Sequence, residues 1–180
     1  MRIGSKDMSS ISKFEDIISG WLKPLPHLPV KGQKWLSANV WWIILIATIS
    51  SGIGLLVSIG GFFTLLALWG AVSTSYYGYY ATQSVGGFWV VTSIISMLFM
   101  VAMVVVSAMA ISPLKSMKKK GWTLLFLMLL ISAVEIVVSA IVDFHIVSFI
   151  FSIIFGAISL AIGAYFIFEI RSYFAATSKK

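Results

Sequence analysis

The chain has 180 residues, of which 59% are hydrophobic and only 11% are charged, and its mean hydropathy is +1.01. Soluble globular proteins carry roughly 25% charged residues, so this composition excludes a water-soluble fold and indicates an integral membrane protein. The chain contains no cysteine, which excludes a disulfide framework, a thiolate zinc site and thiol redox chemistry.

The first segment, residues 1–38, is predicted to be a cytoplasmic arm. Apolar residues recur at helical spacing over residues 10–22, which predicts an amphipathic helix at the membrane interface. We favour membrane anchoring over partner docking as its role. Prolines at positions 24, 26 and 29 then predict an extended link. His27 lies among these prolines and is expected to be a solvated linker residue, rather than a pH-sensitive or metal-binding group.

Crossing a membrane takes about 20 apolar residues. Four stretches meet this requirement: Trp41 to Leu68, Phe88 to Ile111, Trp122 to Val142 and Ile146 to Ile170. The glycine pair at 60–61 leaves open whether the first span is continuous. The sequence therefore predicts an all-α fold, a four-transmembrane-helix bundle over residues 39–172, with the N-terminal amphipathic interfacial helix before it and a short cytoplasmic tail, residues 173–180, after it.

The segments between the spans indicate how they are connected. Pro113 and Gly121 are expected to break the helix between the second and third spans. Only the tripeptide "DFH" separates the third span from the fourth, which predicts a tight antiparallel hairpin.

The thirteen basic residues fall into three groups that alternate with loops containing no Lys or Arg. The groups are Arg2, Lys6, Lys13, Lys23, Lys31 and Lys34; Lys115, Lys118, Lys119 and Lys120; and Arg171, Lys179 and Lys180. Because cytoplasmic loops collect Lys and Arg, we expect a multi-pass protein of the cell (plasma) membrane with both termini in the cytoplasm. The positive charge then faces the lipid bilayer, and nucleic-acid binding is disfavoured.

Aromatic residues crowd the uncharged loop between the first two spans, "WGAVSTSYYGYYATQSVGGFW". Tyrosine and tryptophan favour the boundary between membrane and water. Tyrosines also stack on sugars and nucleobases, so a ligand platform is an alternative. We favour the membrane-boundary interpretation.

Small residues at helical spacing predict packing faces on three of the spans. On the first span they are Ala47, Ser51, Gly54, Ser58 and Gly61, and on the fourth they include Gly156, Ser159 and Gly163. The second span repeats the pattern from Ser93 to Ala110.

The third span carries a polar stripe, formed by Ser132, Glu135, Ser139 and Asp143 at offsets of 3, 4 and 4. A charge at the depth of Glu135 costs at least about 2.5–3.5 kcal/mol, so this carboxyl is expected to face the bundle and to be protonated, hydrogen-bonded or hydrated. One interpretation is structural, with Glu135 locking two helices through serine hydroxyls. The other makes Glu135 the proton- or cation-binding group of a transporter. We favour the structural interpretation.

Little other chemistry is indicated by the sequence. Asp143 and His145 are close in sequence, but Glu135 is too far along the helix to complete a metal site with them. Glu169 is expected to pair with a loop lysine. HExxH, GxSxG and phosphate-binding glycine motifs are missing from the sequence, so we expect no enzyme activity, no cofactor and no metal.

Three sequence pieces together resemble a group of small four-helix (tetraspan) bacterial membrane proteins. The pieces are "WLKPLPHLP", "KKKGWTLLFL" and "FEIRSYF". The group has no assigned activity, so the resemblance implies the architecture and no functional residue. We therefore expect an accessory or assembly component that contacts lipid and either itself, as a homo-oligomer, or other membrane proteins. The alternative is a small proton- or cation-coupled transporter or channel subunit that uses Glu135.

Overall fold

A computed structural model describes residues 17–21, 24–73, 86–142 and 146–176 of the chain. The helices that build the fold are α1 (Val30–Ser73), α2 (Gly86–Lys115), α3 (Lys119–Val142), α4 (Ile146–Glu169) and α5 (Arg171–Ala176). The first four are long and apolar enough to cross a membrane, with hydropathies of 2.2 to 2.7 in their most apolar windows. The prediction of an all-α protein with four spans is confirmed at this level.

Helix α1 runs without interruption for 44 residues and passes through Gly60 and Gly61. At 1.5 Å per residue its length is about 66 Å. It begins directly after Pro29, whose carbonyl accepts the first helical hydrogen bond from the amide of Gln33 at 3.0 Å. The first span is thus continuous, and its helix starts inside the segment that the sequence assigned to the arm.

The turn between α2 and α3 differs from its prediction. Pro113 lies inside α2, near its end, and Gly121 lies inside α3. The turn itself is made by Met117, which has a φ of 52° while the amide of Lys118 bonds to the carbonyl of Pro113 at 2.9 Å. This is the hydrogen-bond pattern of a Schellman cap with methionine at the left-handed position. The prediction that Pro113 and Gly121 break the helix was wrong, because α2 ends at the cap formed around Met117.

Gly121 has a packing role instead. A Cβ atom at this position would lie 2.8 Å from the backbone nitrogen of Leu114 and 2.9 Å from the carbonyl carbon of Pro113. Only a residue without a side chain lets the first turn of α3 approach the last turn of α2 so closely. The glycine therefore sets the geometry of the α2–α3 hairpin.

The four spans form an open arrangement. Each packs along the next one in the chain, α1 on α2, α2 on α3 and α3 on α4, whereas α1 and α4 make little contact with each other. The short helix α5 turns back after Glu169 and lies against α1 and α3. The arrangement leaves a gap between α1 and α4 on one side of the bundle.

Most of the buried core lies at one end of the bundle, which contains residues 24–29, the α2–α3 turn and α5, and which we call the basic end. Its buried apolar cluster comprises Val40, Ala110, Leu114, Trp122, Leu125, Phe126, Ile170 and Phe174. The rings of Trp122 and Phe126 stack with centroids 5.6 Å apart, and the indole N–H of Trp122 donates to the carbonyl of Ile167 at 2.8 Å. The opposite end, where α1 and α3 finish, is called the distal end below.

Basic side chains from separate parts of the chain meet at the basic end. The ammonium of Lys115 lies 5.2 Å from the ring centre of Trp41, and the guanidinium of Arg171 lies 5.4 Å from that of Trp122. Both distances are within the range of cation–π attraction. The described members of the three basic groups therefore share one end of the molecule, and the side of the membrane that this end faces stays a prediction.

Part of the predicted amphipathic helix falls outside the described residues. Residues 17–21 are helical, with Ile18 packed against the buried cluster and the side chain of Trp21 exposed. The remainder of residues 10–22 is not described, so a separate interfacial helix stays a prediction.

Candidate functional site

The polar stripe of α3 separates two cavities. Ser132 lines an apolar groove on the basic side of the membrane-spanning region, and Ser139 lines a smaller cavity toward the distal end. Glu135 lies between them along α3, with a rise of about 4.5 Å from Ser132 and about 6 Å to Ser139. Asp143, the last member of the predicted stripe, lies outside the described residues.

The apolar groove has a volume of about 390 Å³ and lies where α1 and α4 diverge. All four spans contribute to its walls, from Leu36 on α1 to Ile167 on α4, together with Ile170 directly after α4. The lining is aliphatic and aromatic apart from two hydroxyls, those of Ser132 on α3 and Ser159 on α4. Ser159, which the sequence assigned to a packing face, thus borders the groove.

The distal half of the bundle contains two cavities of a different character. One, of about 410 Å³, lies between α1 and α2 and includes Ser58, Gly61 and Ser93 in its lining. The other, of about 190 Å³, lies between α2 and α3 at Ser139. Thr92 and Ser96 line both. Since water is held in a cavity by a few polar partners, this row of hydroxyls makes the distal half suitable for hydration.

Glu135 is half-buried and lines neither the groove nor the two distal cavities. Its carboxyl makes no hydrogen bond or ion pair to any residue in the part of the chain that the structure describes. The interhelical lock through serine hydroxyls is therefore not formed among those residues. A polar group in this position inside an apolar helix needs a partner or water.

The packing faces differ between α1 and α4. A Cβ at Gly156 would lie 2.6 Å from Cγ2 of Ile136, and one at Gly163 would lie 3.4 Å from Cδ1 of Leu129, so both glycines pack closely against α3. On α1, by contrast, a Cβ at Gly54 would meet no atom within 4 Å.

The other positions of the predicted face on α1 are also loosely packed. A Cβ at Gly61 would likewise meet no atom within 4 Å, and Ala47 is exposed. Ser51 is half-buried, and Ser58 borders the larger distal cavity together with Gly61. Among the predicted packing positions, close helix contact through glycine is thus found between α3 and α4 and not on α1.

A polar cluster at the basic end was not found by sequence reasoning. The carboxylate of Glu169, whose side chain is 6% exposed, lies 2.6 Å from Nδ1 of His27. It also accepts hydrogen bonds from the amide of Leu28 at 3.1 Å and from Nε2 of Gln33 at 2.8 Å. The expected pairing of Glu169 with a loop lysine was wrong, because its carboxylate contacts His27 and Leu28 in the link before α1 and Gln33 in the first turn of α1.

Further bonds join the same link to α4 and to the start of α1. The hydroxyl of Tyr165 donates to the carbonyl of Pro26 at 2.6 Å, and Nε2 of Gln33 donates to the carbonyl of Leu28 at 3.0 Å. His27 was expected to be solvated, and its side chain is indeed 67% exposed, but it is held in place by Glu169. We call Pro26, His27, Leu28, Gln33, Tyr165 and Glu169 the Glu169 cluster.

The described residues contain no group of three His, Asp or Glu side chains placed to hold an ion. Asp143 and His145 lie outside them, so the expectation of no metal stays a prediction.

Comparison of the chain with protein-family models, with curated proteins and with solved structures found no match. The resemblance to bacterial tetraspan proteins therefore stays a prediction. The four spans rest on the hydropathy and length of the helices alone.

Proposed function

We propose that this protein is a non-enzymatic accessory or assembly component of a membrane complex, which associates through the surface of α3 around Glu135. One observation carries the proposal: Glu135 is half-buried within an apolar span and has no hydrogen-bonding partner among the described residues. The surrounding helix surface is apolar, with Val134 and Val137 both exposed. A second membrane protein, or a second copy of this chain, supplies the missing partner.

The energetics favour association at this position. A charged side chain left facing lipid near the bilayer centre costs at least about 2.5–3.5 kcal/mol. Interhelical hydrogen bonds in membranes contribute about 0.6 kcal/mol on average, and a contact that also removes Glu135 from lipid gains more than this average. The α3 surface around Glu135 is accordingly the proposed interface.

The absence of cysteine makes the interface directly testable. A single cysteine in place of Ser139, which is exposed on the stripe, should form a disulfide-linked dimer or accept a thiol cross-linker in native membranes. Ile141→Cys is the matched control, because Ile141 is exposed, lies two residues away and points about 200° around the helix. Equal cross-linking at both positions, or at neither, contradicts the proposed interface.

Glu135 substitutions test the role of the carboxyl itself. Glu135→Gln keeps a hydrogen-bonding group of nearly the same size and should preserve the cross-linked species, whereas Glu135→Ala should reduce it. Loss of the species in both variants, with folding intact, would mean that the ionised carboxylate is required.

A second candidate function is a small proton- or cation-coupled transporter or channel subunit. It is favoured by the hydroxyl-lined distal cavities, which share Thr92 and Ser96 and reach Ser139, one helical turn from Glu135. In this function water in the distal cavities delivers a proton or cation to Glu135, and the apolar groove on the other side restricts its passage.

Flux measurements separate the two functions. Purified protein in liposomes should conduct protons or monovalent cations above the background of empty liposomes, and Glu135→Gln should abolish the flux while folding normally, because an amide does not titrate. Background flux in both wild type and Glu135→Gln eliminates the transport function and leaves assembly.

Location and orientation complete the proposal. Both termini lie in the cytoplasm, so that the basic end contacts anionic headgroups of the plasma membrane. The amphipathic helix over residues 10–22 lies in the headgroup region next to it.

A further inference from the structure

The length of the apolar groove between α1 and α4 matches the thickness of one membrane leaflet. The lining of the groove runs from Ser159 in α4 to Ile170, the residue directly after α4, a rise of about 16 Å along the axis of α4. Half of the hydrocarbon thickness of a bilayer is about 15 Å. The groove therefore extends from the basic end to the middle of the membrane, which is the depth of one leaflet.

The volume of the groove selects between a lipid chain and a helix. A helix about 10 Å across with a pitch of 5.4 Å fills roughly 400 Å³ per turn, so three turns over the depth of one leaflet need about 1,200 Å³. The groove offers about 390 Å³. By comparison, an apolar cavity of about 150 Å³ holds one benzene molecule. Scaled by volume, the groove has room for about fifteen carbon atoms, close to the size of one acyl chain.

The positive charge at the basic end favours a lipid with an anionic headgroup. Leu36 and Ile170, which line the groove at this end, are close in sequence to Lys34 and Arg171. The described part of the basic end contains seven basic residues: Lys31, Lys34, Lys115, Lys118, Lys119, Lys120 and Arg171. Its one described carboxylate, that of Glu169, is engaged by His27, Leu28 and Gln33.

We propose that this groove is a binding site for one acyl chain of an anionic phospholipid from the leaflet at the basic end. The chain fills the apolar space that α1 and α4 leave between them, and the phosphate lies among the lysines. Basic pockets between spans are suited to anionic headgroups. The site is independent of Glu135, which does not line the groove.

The test uses the full chain in nanodiscs of phosphatidylcholine that contain a trace of phosphatidylglycerol with a photoreactive diazirine on one acyl chain. After illumination, mass spectrometry locates the labelled residues. We expect labelling concentrated on groove residues such as Met128 and Ser159, suppressed by an excess of unlabelled phosphatidylglycerol. A phosphatidylcholine probe with the same chain should label the groove several-fold less.

Two substitutions on α4 provide a matched pair. Ser159→Phe fills the groove, whereas Ala161→Phe adds the same ring at a similar depth on an exposed face about 160° away that does not border the groove. Ser159→Phe should lower groove labelling by about tenfold, equivalent to about 1.4 kcal/mol of binding free energy, and Ala161→Phe should leave it unchanged.

Several outcomes would overturn the proposal. They are groove labelling no stronger than that of the opposite face of α4, labelling that excess phosphatidylglycerol does not suppress, and equal labelling by both probes. Cross-linking of a protein or of a second copy to groove residues would instead assign the groove to a helix. If Ser159→Phe does not fold, the wild-type labelling map and its competition decide the question without it.

Discussion

Nδ1 of His27 lies 2.6 Å from Oε1 of Glu169, although the two residues are 142 positions apart in the chain. The contact joins the link before α1 to the last residue of α4. The carboxylate is the buried partner, with 6% of its side chain exposed, and the imidazole, 67% exposed, covers it. The start of the first span and the end of the last are thereby fixed to each other, although α1 and α4 pack little along their lengths.

Removing this carboxylate should loosen the link. Glu169→Ala removes the acceptor of the Leu28 amide and one of the two acceptors of the Gln33 side chain, and we expect a loss of about 2–3 kcal/mol in unfolding free energy. The measurement is thermal unfolding in nanodiscs, together with protease cleavage within residues 17–29, which should become faster.

Glu169→Gln is the control for that variant. Its amide oxygen can still accept from Leu28 and Gln33, while its NH₂ group can donate to Nδ1 of His27 when the imidazole proton is on Nε2. We expect a loss below about 1 kcal/mol, within the range of a single neutral hydrogen bond. Equal losses for Ala and Gln would show that the charge, and not the hydrogen-bond geometry, holds the link.

A methyl group at Gly121 should disrupt the α2–α3 hairpin. The added Cβ would lie 2.8 to 3.0 Å from backbone atoms of Leu114 and Pro113. These atoms cannot move without displacing α2. Gly121→Ala should therefore destabilise the protein by about 1–3 kcal/mol. Gly60→Ala is the matched control in another helix, because nothing lies within 4 Å of its Cβ, and it should stabilise α1 by up to about 1 kcal/mol. Similar unfolding temperatures for the two variants would refute the close approach.

Gly156 packs against a side chain, whereas Gly121 packs against backbone. The destabilising effect of Gly156→Ala should therefore be partly relieved by a second substitution, Ile136→Ala. The added Cβ would lie 2.6 to 3.1 Å from three side-chain atoms of Ile136. Ile136→Ala removes all three atoms, so the double variant should be more stable than the sum of the single effects predicts, by about 1 kcal/mol. A double-mutant cycle of unfolding free energies measures this coupling. Simple additivity would mean that α3 and α4 do not meet at these residues.

The orientation in the membrane follows from the basic residues and can be read with reporter fusions. A fusion at Lys119 should report a cytoplasmic location, and one at Ser84 should report the opposite side of the membrane. A cytoplasmic signal at Ser84 would contradict four spans with both termini inside.

The four spans were predictable because they depend only on the length and hydropathy of each segment. The start of α1 was not predicted, because hydropathy locates only the apolar part of a helix, which begins at Trp41. The helix itself begins earlier, in a segment where Lys31, Gln33 and Lys34 are polar but are good helix formers. Gly121 was misjudged for a related reason. Glycine has a low helix propensity, which predicts a break. At position 121, however, two helices approach so closely that only a residue without a side chain fits, and this requirement outweighs the low propensity.

The candidate sites show the same limit more clearly. Helical periodicity placed Ser132, Glu135 and Ser139 on one stripe, but the cavities beside them depend on where α1, α2 and α4 lie. The Glu169 cluster joins two of the quoted sequence pieces, "WLKPLPHLP" and "FEIRSYF". A single sequence contains no signal that relates residues so far apart, so the pairing required a three-dimensional structure.

The uninterrupted length of α1 has a consequence for how the molecule responds to its bilayer. The apolar part of α1, from Trp41 to Leu68, is about 42 Å long, whereas the corresponding part of α3, from Trp122 to Val142, is about 32 Å. In a hydrocarbon layer of about 30 Å, α3 has a mismatch of only about 2 Å, whereas α1 exceeds the layer by about 12 Å and has to tilt or to thicken the bilayer locally. A change in bilayer thickness is therefore expected to act mainly on α1, which lines the cavity at Ser58 together with α2, and less on α3 and the stacked rings at Trp122.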